Sequence, residues 1–147
     1  MPIVQRILSV FASPRPTPLP EPDARLALGA LMVRVAKSDE TYRVEEIQKI
    51  DRILAHANGI GPIEAARMRA TCERLAAKAP DTETFAALIR ETVAHDGRLE
   101  TLRALWQVLL ADGLERPEEL AAIDAARQAL GLSEADNAAA RAAAAEG

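Results

Sequence analysis

An all-α fold, a compact bundle of about seven helices, is what this 147-residue chain predicts. The first observation behind that expectation is composition. Aromatic residues make up 3%, β-branched residues are sparse, and Ala, Leu, Arg and Glu dominate, which is the inventory of a helix-forming chain. The second is a 3.6-residue apolar period that recurs in block after block from Asp23 onward. The third is the chemistry of the breaks between blocks, with glycine past a helix end and proline in a first turn. With 49% apolar residues, one domain of this length buries a core large enough to fold without disulfides or metals.

The elements follow in order. Ile3, Ile7, Leu8 and Phe11 are spaced as one face of a short amphipathic helix over residues 1–13. Pro14, Pro16, Pro18, Pro20 and Pro22 then enforce a stiff, extended linker over 14–22. Leu28, Leu31, Met32 and Val35 share a face of a helix over 23–38, and Ile47, Ile50, Leu54 and Ala57 share one over 44–57. Gly59, Gly61 and Pro62 end that helix and start the next, which turns Met68, Cys72 and Leu75 inward over 62–78. Asp81 is placed to cap a helix burying Phe85, Leu88 and Ile89. His95-Asp96-Gly97 reads as a turn leading to a helix with Leu99, Leu102, Trp106 and Leu109 on its apolar face. Asp112-Gly113 is a further turn before a helix that Pro117 opens and Gly131 closes. Ser133, with Asp136 three residues on, caps an alanine-rich C-terminal helix or tail over 134–147 that is polar enough to fray. The main domain is thus expected over 23–133.

An internal repeat runs through this pattern. With an offset of 73, Val35 to Asp51 matches Val108 to Asp124 at seven of seventeen positions without a gap. The identical pairs include Asp39/Asp112, Arg43/Arg116, Glu45/Glu118 and Glu46/Glu119. Both copies read as helix, acidic turn, and a helix opening with two glutamates, so two pseudo-repeated helical hairpins are expected to face each other across the core.

The second copy, Ala111-Asp112-Gly113-Leu114-Glu115-Arg116-Pro117-Glu118-Glu119, resembles the signature of the TerB family: an apolar helix ending in Ala-Asp-Gly, a short turn, and Pro-Glu-Glu opening the next helix. The first copy, Ser38 to Glu46, follows it loosely, with Glu40 in place of the glycine and Val44 in place of the proline. The resemblance covers roughly residues 23 to 133 and implies a TerB-like helical bundle. It also implies a link to tellurite resistance and envelope stress, and an acidic surface site for calcium. Arg43 and Arg116 stand where the family often has a serine-like cap, so that cap is missing.

Within each copy, an Asp at one helix end and a Glu seven residues later are able to approach across the turn. If the two copies meet, Asp39, Glu46, Asp112 and Glu119 offer hard oxygen ligands suited to Ca2+ or Mg2+. The twelve-residue loop of an EF-hand is absent, so such binding is expected to be weak. The alternative is structural: acids in a first turn complement the helix dipole and its free amides, and Asp before Gly is ordinary turn chemistry. Asp51 and Asp124 read as solvated helix-face charges.

Other function classes find little support. A net charge of −4 with interspersed signs leaves no basic stripe for nucleic acid. His56, His95 and the single Cys72 supply no convergent set of nucleophile, base and positioning group, so no enzyme is expected. His95 reads as a helix-end histidine whose positive form a last turn favours, and Cys72 as a core thiol. No apolar run approaches the roughly 18 to 20 residues that cross a bilayer, and residues 7–12 fall short of a signal-peptide core. A cytoplasmic chain with at most peripheral membrane contact is expected, acting through the acidic turns on a cation or an unknown protein partner. The alternative is a scaffold or adaptor that docks a membrane surface or partner protein through the N-terminal amphipathic helix.

Overall fold

In a computed structural model the chain is described over residues 23–78 and 81–146. The expected helix at 1–13 and linker at 14–22 lie outside these residues. Seven α-helices account for nearly all of the described chain: α1 (Ala24–Ala36), α2 (Val44–Asn58), α3 (Pro62–Lys78), α4 (Thr82–Thr92), α5 (His95–Leu109), α6 (Pro117–Ala129) and α7 (Glu134–Glu146). A short 3-10 turn, Leu110–Asp112, extends α5.

The first helix departs from its expected one-sided pattern. Its sequence is apolar on nearly every side, with Arg25 and Arg34 as its charged residues, and Ala27, Ala30, Leu31, Met32, Val33 and Ala36 are fully buried. A helix apolar on every side belongs inside. Accordingly α1 is the central post of the bundle, touched by α2, α3, α4, α5 and α6. Its only close-approach residue is Gly29, where a β-carbon would stand 2.2 Å from the Cys72 sulfur of α3. Cys72 is itself fully buried, and burial pushes its thiol up to about 12, as a core thiol requires.

Local capping follows the chemistry of the breaks. Asp23 and Asp81 each accept an amide hydrogen bond, from Leu26 and Thr84, at 3.0 Å. Ser133 and Asp136 form a reciprocal capping box at 3.0 and 2.9 Å. At the C-terminal end of α6, Arg90 from α4 and Arg98 from α5 donate to the carbonyls of Ala129 and Leu130, at 2.9 and 2.8 Å. Arg127 donates to Leu132 at 2.8 Å, so three guanidinium groups meet the negative end of that helix.

Two expectations are corrected. His95-Asp96-Gly97 is the first turn of α5, with Ala94 at the cap position, because Gly97 keeps a helical backbone there. His95 therefore sits in the first turn of a helix rather than at a last turn, and its Nε2 lies 3.5 Å from Asp136 Oδ2. The alanine-rich segment is a docked helix rather than a fraying one. Ala140 and Ala144 are buried, α7 packs on α5, and Trp106 Nε1 donates to Asn137 Oδ1 at 2.9 Å. Arg141 lies over the indole at 4.7 Å. Asn137→Ala is expected to cost about 1 kcal/mol by orphaning the indole N–H, measured as a lowered urea midpoint.

Candidate functional site

The two repeated turns fold alike and meet. In the first, Asp39 Oδ1 accepts the Thr41 amide at 3.1 Å; in the second, Asp112 Oδ1 accepts the Leu114 amide at 3.1 Å. Each turn needs a left-handed residue just past its Asp. Gly113 supplies one at φ 78°, and Glu40 adopts the same region at φ 67° although it carries a side chain. The fold of the second copy is thus imposed on the first despite the lost glycine.

The aspartates are bound to arginines both within and across the repeats. Arg43 Nη1 lies 2.8 Å from Asp39 Oδ2, and Arg116 Nη1 lies 2.7 Å from Asp112 Oδ2. Crosswise, Arg43 Nε stands 3.4 Å from Asp112 and Arg116 Nε 3.5 Å from Asp39. The result is a near-symmetric four-membered ring of two aspartates and two arginines that closes one hairpin on the other. Burial alone would raise both aspartates. The hydrogen bonds from their arginines and from the Thr41 and Leu114 amides, with the guanidinium charges, outweigh it and hold both below the ordinary carboxylate range.

Beneath this ring lie Glu46 and Glu119, each in the first turn of its helix and each with no solvent exposure. Glu46 Oε1 accepts the Arg43 amide at 3.1 Å, and Glu119 Oε1 takes Arg116 Nη1 at 3.3 Å. Their Oε2 atoms are buried and receive no N–H donor. The two carboxyl groups instead face one another, so a proton held between them is the hydrogen bond available to this pair. Burial first, and then the Glu119 carboxyl and its charge, push Glu46 up to about 8 against the pull of the Arg43 amide and charge.

All four residues singled out in the sequence, Asp39, Glu46, Asp112 and Glu119, therefore come together in one cluster. Arg43 and Arg116, read from sequence as missing caps, stand where the carboxylates converge. The signal for them was their identity at the same place in both copies. Among the described residues no group of three or more His, Cys, Asp or Glu side chains is arranged to hold a metal ion with the side chains so placed. As donors the four carboxyls fit a hard cation. The four carboxyls, one of them neutralised by the shared proton, outnumber the two guanidiniums, and two of their oxygens are orphaned in the interior. Asp51 and Asp124 belong elsewhere: Asp51 binds Arg69 at 2.6 Å and Asp124 binds Arg127 at 3.0 Å.

The rest of the chain adds two facts. No helix among the described residues is long and apolar enough to cross a membrane. Cys72 is sealed in the core.

Comparison with known proteins agrees with the architecture. The family model described as tellurite resistance protein TerB matches residues 25–142, most of the chain, and so extends into α7 beyond the boundary expected at 133. No curated protein and no solved structure matches the chain.

Proposed function

Because the chain belongs to the TerB family, we propose that it is a non-enzymatic binding domain whose paired acidic turns take up a hard divalent cation, Ca2+ or Mg2+, in exchange for a proton. One observation carries the reading: the Oε2 atoms of Glu46 and Glu119 are buried with no hydrogen-bond partner, inside a cluster with more carboxyls than guanidiniums. A buried polar atom of this kind calls for a partner. A shared proton supplies half of what two carboxylates accept, and a divalent cation supplies more.

The arginines set the terms of such binding. Their side chains are about a fifth exposed, 21% and 22%, so they are able to swing outward when a cation competes for Asp39 and Asp112. Losing those contacts and the shared proton makes affinity weak and pH-dependent. The link to tellurite or envelope stress enters through the family and is part of the proposal.

The test is a Ca2+ and Mg2+ titration of the wild type beside the double variant Asp112→Asn, Glu119→Gln, by calorimetry and thermal unfolding at pH 6 and pH 8. Saturable heat and a raised Tm are expected in the wild type alone, and the apparent affinity is expected to rise with pH by up to about tenfold per unit for one displaced proton. Ion at about a hundred times its Kd should add about 2.7 kcal/mol of stability. An unchanged Tm and no heat at either pH, up to the millimolar range that bounds weak calcium sites, would reject the proposal.

A further inference from the structure

A groove runs between α2 and α5, and the cation proposal makes no use of it. Its wide end has a volume of about 560 Å³, with Leu28 and Ile53 on its floor. Lys49, Arg52 and His56 from α2 and Glu100 and Arg103 from α5 line it. The groove continues past Lys49, Arg52 and Gln107 into a narrower stretch of about 310 Å³, with Glu45 on its α2 side, that ends at Leu110, Ala111 and Ala144. Along α5 its lining extends from Gly97 to Ala111, about 20 Å at the rise of a helix.

The charges in this groove run against those of the chain. The protein as a whole carries −4, yet Lys49, Arg52 and His56 are set three and four residues apart on one face of α2. None of the three has an ion-pair partner among the described residues. Opposite them, Arg103 meets only Glu100, at 3.4 Å and itself 70% exposed, while its Nε is buried with no acceptor. With Glu45 and Glu100 as the acids of the lining, Lys49, Arg52 and Arg103 leave a surplus of positive charge above Leu28 and Ile53, and such a surplus attracts an amphipathic anion.

We propose that this groove docks an acidic amphipathic helix of a partner protein. A channel of about 20 Å accommodates roughly 14 residues of helix, whose apolar anchors at three- and four-residue spacing would meet Leu28, Ile53, Leu110 and the alanines. Glutamates or aspartates flanking those anchors would meet Lys49, Arg52 and Arg103. Nucleic acid fits poorly, because so few cations around an apolar floor neutralise few phosphates. The chain's own residues 2–12 carry Arg6 as their one charged side chain, the same sign as the groove.

The probe is a fluorescein-labelled, end-blocked peptide of about 14 residues, with leucines at helical three- and four-residue spacing flanked by glutamates. A twin carries lysine at every glutamate. Anisotropy titrations use the full-length chain and the variant Lys49→Glu, Arg52→Glu, whose fold is checked by circular dichroism and Tm. The acidic peptide is expected to saturate the wild type and to bind the variant at least about tenfold more weakly, and the lysine twin is expected to show the reverse preference. Failure of the acidic peptide to saturate at millimolar concentration, or equal binding of both twins, overturns the proposal. Vesicles of phosphatidylglycerol that retain the wild type, release the variant and exclude the peptide would assign the groove to a membrane surface and overturn it equally.

Discussion

Between pH 5 and pH 8 the unfolding free energy is expected to fall as pH rises, with a slope of up to about 1.4 kcal/mol per pH unit, and Glu46→Gln is expected to remove that fall. The sign follows from the buried pair. Glu46 keeps its proton to about pH 8 in the folded state, whereas the unfolded chain releases it near 4.5. Above that lower value the folded state binds more protons than the unfolded one, so raising the pH favours unfolding. The stabilisation is fully present below about 4.5 and gone above about 8. Asp39 and Asp112 act oppositely, since their lowered values give stability that is lost as pH falls below the ordinary 3.8. A stability maximum on the mildly acidic side results. In Glu46→Gln the amide oxygen still accepts the Arg43 N–H, and its NH2 donates to Glu119 in place of the shared proton. Urea unfolding at several pH values should show the variant within about 1 kcal/mol of wild type at pH 5 and more stable at pH 8. Parallel profiles for the two proteins would show that no proton is shared between these carboxyls.

The second large effect concerns the helix crossing at the centre of the bundle. Gly29→Ala is expected to destabilise the protein by about 2 kcal/mol, the middle of the range for overpacking a filled core. Propensity alone predicts the opposite sign, because alanine is better than glycine inside a helix by about 1 kcal/mol. Sterics win here: the new β-carbon would stand 2.2 Å from Cys72 Sγ and 3.1 Å from its β-carbon, in a position sealed from solvent. Removing the sulfur should relieve most of the clash. The double variant Gly29→Ala, Cys72→Ala is therefore expected to be more stable than the sum of the single changes by at least about 1 kcal/mol. Additive effects would show that the spacing of α1 and α3 is set by other contacts.

Much of the molecule was legible before any coordinates. The helices at 44–58, 62–78 and 82–92 were announced by their periodicity and by Gly59, Pro62 and Asp81, each of which acts through its own backbone or a neighbour three residues away. The repeat made the clustering of Asp39, Glu46, Asp112 and Glu119 conditional on the two hairpins meeting, and the arginine contacts across the repeats show that the turns do meet. The misreadings have a common cause. His95-Asp96-Gly97 looked like a turn because glycine permits one, but α5 gains a further turn of helix by starting there. The alanine-rich end looked free because alanine carries little apolar surface, yet small side chains let α7 lie close on α5, where Trp106 and Asn137 hold it.

What the sequence determined by itself was therefore local and periodic: helical blocks, their caps and breaks, and the duplication that sets two acidic turns in one molecule. Those features depend on residues within a few positions of each other, or on a pattern that repeats along the chain. Only the tertiary structure decided that Arg43 and Arg116 cross between the repeats, that Glu46 and Glu119 are sealed together beneath them, and that Lys49, Arg52 and Arg103 converge on a single groove. Those outcomes are set by which faces of distant helices come into contact. They depend on burial and on the spacing of charges in three dimensions, and neither quantity is written in the order of residues along one helix.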